Sequence, residues 1–128
     1  MSEKIKKILD CCKARPLAVH EYKDAWEADI YTIGKKMFAL IGTYKDGRPM
    51  ITLKSDPGRA LELRDVYENS IIPGYYSNKK HWNSVFLDTD LELNLIYEMI
   101  DASYTLVFKS LTRKERTALE EKRKDTAV

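Results

Sequence analysis

Residues 34–54 read GKKMFALIGTYKDGRPMITLK, and this stretch decides the class of fold open to the chain. Residues 37–41 are apolar at every position, as in a strand covered on both faces. Turn signals bracket that run. Gly34-Lys35 precedes it, and a glycine first in a two-residue link suits a type II′ hairpin turn. Lys45-Asp46-Gly47 follows it as a second strong turn signal. The spacing predicts consecutive antiparallel strands at residues 29–33, 36–44 and 49–54, with a weaker one at 19–23. On the return strand, Ile51 and Leu53 fall on one face, and Met50, Thr52 and Lys54 on the other.

Helical periodicity occupies the rest. Ser2 can cap a first helix in which Ile5, Ile8, Leu9 and Cys12 recur at helical spacing, and Pro16 closes it. Asp56 can cap a second helix, with Pro57 at its first position and Ala60, Leu63, Val66 and Tyr67 as its buried stripe. Residues 82–87 are strand-like, with Asn83, Val85 and Leu87 on one face. Thr89-Asp90-Leu91-Glu92 has the pattern of a capping box. The helix it opens carries the row Leu95, Met99, Ala102 and Leu106, flanked by Ile96, Ile100, Ser103 and Val107. Thr112 with Glu115 offers one more cap, for a short terminal helix. The expected fold is α+β: a mostly antiparallel sheet built from two hairpins plus a further strand, flanked by N-terminal, central and C-terminal helices. A chain of 128 residues suits one domain, expected over residues 1–120, with residues 121–128 as a frayed tail.

Composition removes several function classes. The run 37–41 is the longest apolar one, too short to span a membrane. The start MSEKIKKILD is charged throughout and predicts no secretory signal. Cys11 and Cys12, the two cysteines, are neighbours, and thiols without distant partners fit a reducing, cytoplasmic setting. Net charge is only +2, so affinity for a polyanion requires a local patch.

Most enzyme chemistry lacks its residues. His20 and His81 lie far apart, and the cysteines cannot form a structural zinc pattern, so no metal site is expected. Glu21, Asp24, Glu27 and Asp29 read as a solvated edge. No nucleophile motif occurs, and the five glycines never cluster into a phosphate loop. No catalytic residue and no cofactor are assigned. One local site has a mechanism: Lys54, beside free N–H groups at the Asp56-Pro57 helix start, can hold an anion. In the competing reading the Asp56 carboxylate takes those N–H groups itself.

The segment GYYSNKKHWNSVFLD, residues 74–88, concentrates tyrosine, lysine, histidine and tryptophan. In a functional reading Lys79 and Lys80 meet phosphates, Asn78 and His81 hydrogen-bond, and an aromatic ring packs on sugar or base. In a packing reading Trp82 and one tyrosine are core, Asn78 shapes a turn and the lysines are solvated. Residue types alone favour packing.

GKKMFALIG at 34–42, ITLKSDPGRALELR at 51–64, IIPGYYSNKKHWNSV at 71–85 and DASYTLV at 101–107 together resemble the MmcQ/YjbR family of small bacterial proteins. The resemblance implies a CyaY-like α+β fold, also likened to a double-wing DNA-binding architecture, with the two hairpins as candidate wings. It marks Lys54, Asp56 and Pro57 in one element and Tyr76, Asn78, Lys79, His81 and Trp82 in another, with no catalytic role. Frataxin-like iron handling through an acidic first helix does not fit Lys4, Lys6 and Lys7 set against Glu3 and Asp10. The expected function is a DNA-binding module, weak and salt-sensitive, using Lys54, Tyr76, Asn78, Lys79, Lys80, His81 and Trp82. The alternative is a protein-interaction module on the same aromatic surface, with Tyr75, Tyr76, His81 and Trp82 as anchors. A third reading, His81 as general base of an enzyme, lacks any substrate. The chain is expected as a monomer or weak dimer with no membrane attachment.

Overall fold

The computed structural model describes residues 3–75 and 77–126, with side chains described through Lys122. Ser2 and Tyr76 lie outside the described residues. In chain order the elements are α1 (Glu3–Lys13), β1 (Val19–Lys23), a 3₁₀ turn (Asp24–Trp26), β2 (Ala28–Ile33), β3 (Lys36–Thr43), β4 (Pro49–Lys54), α2 (Pro57–Val66), β5 (Ile71–Pro73), β6 (Trp82–Phe86), α3 (Leu93–Ser110) and α4 (Arg113–Thr126). The strands form one antiparallel sheet in the order β1-β2-β3-β4-β6-β5. The fold is α+β, as the turn signals and periodicity require.

The core lies between the sheet and the helices. Ile8 and Cys12 of α1 and Ile96, Ile100 and Val107 of α3 close over Ile33, Phe38, Ile51 and Val85. α2 buries Ala60 and Leu63. β3 carries one extra residue, Phe38, opposite the step from Tyr31 to Thr32. That bulge sits in the run of continuous apolar character, and Phe38 and the next residue, Ala39, are both buried. The Phe38 ring meets Tyr104 of α3 edge-on, with centroids 5.3 Å apart.

Several local expectations are corrected. The β2–β3 turn is type I′, not II′: Gly34 has φ +58° and Lys35 φ +70°. A type I′ turn matches strand twist, and here that geometry places a lysine in the left-handed region. β5 was not expected, because three residues ending in proline give little strand signal; proline is tolerated there since β5 is the sheet edge. The Thr89–Glu92 capping box does not form. Thr89 Oγ1 donates to the Phe86 carbonyl at 3.3 Å and accepts from Ser70 Oγ at 2.8 Å, so it is unavailable to a helix. α3 starts four residues later, behind Glu92, without a side-chain cap bond. Lys4 instead ties the approach to α3, donating to the Thr89 and Leu91 carbonyls at 2.9 and 2.7 Å. The buried row of α3 is Ile96, Met99, Ile100, Ser103 and Val107, while Ala102 is exposed. Val66 is also exposed rather than buried, lying at the last turn of α2.

The Thr112–Glu115 cap forms in full: each residue's backbone N–H meets the other's side-chain oxygen, at 2.9 and 3.1 Å. α4 behind it runs on to Thr126. No helix among the described residues is long and apolar enough to cross a membrane.

Candidate functional site

Register places the marked residues at one end of the sheet. Lys54 ends β4 and pairs with Trp82, which begins β6. The Gly34-Lys35 turn and Lys36 stand at the same end, because β3 runs antiparallel to β4 with Ala39 opposite Leu53. Lys79, Lys80 and His81 precede β6 there. The β3–β4 turn lies at the far end, as two hairpins sharing a strand must turn at opposite ends. Only the first candidate wing therefore adjoins the lysines.

The segment from Gly74 to Trp82 is held by its own backbone and by two neighbouring elements. The Gly74 N–H donates to the Trp82 carbonyl at 2.9 Å. A Cβ on Gly74 would lie 2.7 Å from the Trp82 Cβ, so only glycine fits. The Tyr75 N–H donates to Ser84 Oγ at 2.9 Å, and Ser84 is linked to Thr52 at 2.7 Å. The Tyr75 ring packs on Tyr44, with centroids 4.7 Å apart. Asn78 makes the turn: its Oδ1 accepts the Lys80 N–H at 2.9 Å and its carbonyl the His81 N–H at 3.2 Å. The His81 carbonyl accepts the Ser55 N–H at 2.8 Å, which docks the segment on the end of β4.

The cations differ in what they face. Lys79 folds back, its ammonium donating to the Gly74 carbonyl at 3.0 Å. Lys36 reaches the Ser110 carbonyl at 3.2 Å and lies 3.8 Å from Glu115. Lys35 and Lys80 are exposed and Lys54 half-buried; none has a carboxylate at ion-pair distance among the described residues. His81 and Trp82 are half-buried. Asp56 stands at the start of α2, but its carboxylate makes no cap bond, so the competing reading for its N–H groups is not realised.

Sequence reasoning missed Arg64 and Asn83. Asn83 is fully buried in β6. It donates from Nδ2 to the Ala60 carbonyl at 3.2 Å and accepts from Arg64 Nε at 2.6 Å. Arg64 Nη2 also donates to the Lys79 carbonyl and, at 3.3 Å, to the Trp82 carbonyl. A polar residue on an otherwise apolar strand face was the available signal, since a buried amide demands partners. Ser103 is a second such case. Its hydroxyl donates to the Phe38 carbonyl at 2.6 Å and accepts the Lys54 N–H at 2.9 Å, fixing the backbone from which Lys54 projects.

A family model for YjbR matches residues 14–106. The chain belongs to the YjbR family. YbdF of Escherichia coli O157:H7 is 39% identical over 90 residues, covering 70% of this chain and 72% of that protein. YjbR of Escherichia coli K12 is 31% identical over 115 residues, covering 90% of this chain and 96% of that protein. Among solved structures, a Deinococcus radiodurans protein of the DUF419 domain family superposes with a TM-score of 0.80 at 33% identity, covering 91% of this chain and 87% of that one. A Pseudomonas syringae protein shares the fold at a TM-score of 0.67 and 22% identity, covering 84% of this chain and 99% of that one. The YjbR match spans the whole site from Lys54 to Trp82.

Proposed function

We propose that this YjbR-family chain is a cytoplasmic nucleic-acid-binding module that grips a phosphate backbone, preferentially of DNA, without catalysis. The observation that carries the reading is convergence: Lys35, Lys54 and Lys80 come from three separate segments to one end of the sheet, each without a carboxylate partner among the described residues. Asn78, His81 and Trp82 lie beside them and suit sugar and base contacts. Lys79 supports the loop through Gly74 rather than reaching outward. The antiparallel sheet, with α1 and α3 packed on it, supports the CyaY-like likeness, and the β2–β3 turn is the wing that this arrangement can use. Two free thiols, Cys11 and Cys12, support the reducing compartment.

Titrating duplex and single-stranded DNA at low salt tests the proposal. With about three phosphate contacts the log–log salt slope is about −2.7, and affinity falls roughly 40-fold between ~50 and ~200 mM salt. Absence of binding to either form at low salt ends the reading.

A second reading, a protein-interaction module, is favoured by one observation away from this site. Val19, Tyr22 and Trp26, on edge strand β1 and the 3₁₀ turn after it, are 49%, 53% and 60% exposed. They are better placed as anchors than the half-buried Tyr75 and Trp82. A partner that survives moderate salt, and is lost on Trp26→Ala but kept on Lys80→Ala, separates this reading from the first.

A further inference from the structure

We propose that the cleft between α2 and α3 binds a small monocarboxylate with an apolar body, an aryl or short alkyl acid. The cleft has a volume of about 190 Å³. Its floor is apolar, made by Leu63 of α2 with Leu95, Met99 and Ala102 of α3. A dry cavity of about 150 Å³ accepts benzene, so this space admits one six-membered ring or an alkyl chain of like size.

The rim decides the sign of the ligand. Lys54 and Arg59 line it, against Glu98 alone. Arg59 is already engaged with Glu62 at 2.5 Å. Lys54 is the cation with no carboxylate at ion-pair distance among the described residues, and its backbone is fixed by the bond to Ser103 at 2.9 Å. Lys54 is thus the rim cation left to meet a ligand carboxylate. An apolar floor gives nothing to a bare, fully hydrated dianion such as phosphate, and the Lys54 ammonium gains less from a neutral alcohol than from a carboxylate, which adds the charge pair. A carboxylate on an apolar body satisfies both surfaces at once. This inference does not depend on nucleic-acid binding, although both use Lys54.

The test is an amide NMR titration of the full chain with benzoate, set beside benzyl alcohol and inorganic phosphate. Benzoate is expected to give saturable shifts at residues 54–59 and 95–102, and to bind more tightly than the other two. Lys54→Met, which leaves the backbone bond to Ser103 in place, is expected to weaken benzoate about 10- to 100-fold, the loss of one charge-assisted contact. Ala102→Phe fills the cleft from the exposed side of α3 without removing a cation. It is expected to abolish benzoate binding and leave DNA affinity unchanged, which keeps the two proposals apart. No saturable shift with benzoate, equal binding of phosphate or benzyl alcohol, or unchanged benzoate affinity in either variant overturns the assignment.

Discussion

Arg64 of α2 donates from Nε to Oδ1 of Asn83, fully buried in β6, at 2.6 Å. The same guanidinium holds the Lys79 and Trp82 carbonyls, so one side chain fixes where the lysine-bearing segment sits on the sheet. Arg64→Lys is therefore not conservative, because a single ammonium cannot reproduce the planar fork. Its expected cost is about 1–3 kcal/mol, the penalty of a buried amide left short of a partner. Urea unfolding measures it, and hydrogen exchange at residues 77–82 is expected to speed up more than in β3.

Lys79 and Lys80 adjoin each other but have separate tasks. Lys80→Ala is expected to reduce the magnitude of the DNA salt slope by about 0.9 and leave the melting temperature unchanged. Lys79→Ala is expected to lower the melting temperature, since it removes the bond to the Gly74 carbonyl, and to change the slope less. Salt-dependent titrations and thermal melts of the two single variants check this.

Lys35 occupies the left-handed region at φ +70°. Lys35→Gly relieves that strain and is expected to stabilise by about 1 kcal/mol. Gly34→Ala has the opposite sign: its Cβ would lie 2.9 Å from Leu111 Cδ2, at a residue with φ +58°. Denaturation midpoints of the pair give both signs.

Acid weakens the fold through two depressed carboxyls. Arg48 hydrogen-bonds both oxygens of Asp88 and holds its pKa below the ordinary value. The Thr112 backbone N–H, and then its hydroxyl, do the same for Glu115. A carboxyl depressed in the folded state stabilises above its unfolded pKa of about 4, and that contribution is lost as pH falls through the folded value. The melting temperature is expected to be flat above about pH 5.5 and to decline below about pH 4. Asp88→Asn is expected to melt lower than the parent at neutral pH, with the two curves converging in acid.

Burial pushes the Cys12 thiol up to about 12, and raises Cys11 by the same cause to a lesser degree. Both are thiols rather than thiolates at neutral pH, and only the thiolate is nucleophilic. Alkylation by iodoacetamide at neutral pH is expected to be slow at half-buried Cys11 and slower still at Cys12. Mass spectrometry of the peptides separates the two rates.

The strands were legible wherever turn chemistry was local. Gly34-Lys35 and Lys45-Asp46-Gly47 gave the hairpins, although Lys35 changed the turn type. Thr112 and Glu115 formed their cap because nothing competed for either side chain. Thr89 and Glu92 carried the same pattern and failed, because Ser70 and the Phe86 carbonyl claimed the Thr89 hydroxyl first. Such competition joins residues 19 apart in sequence and has no local signature. The candidate site followed the same division. The Asn78 turn was readable from its own neighbours. The Arg64–Asn83 clamp was not, since it depends on how α2 settles against β6, and the bond from the Lys79 ammonium to the Gly74 carbonyl depends on how the whole loop closes.

Gly34 packs against Leu111, at the junction of α3 and α4, and Leu119 of α4 joins the same core. The earliest strong hairpin thus waits for some of the latest residues before its turn is covered. During synthesis the β2–β3 tip stays bare until most of the polypeptide has left the ribosome. A chain cut short before Leu111 exposes that tip permanently, whatever the rest of the sheet has achieved.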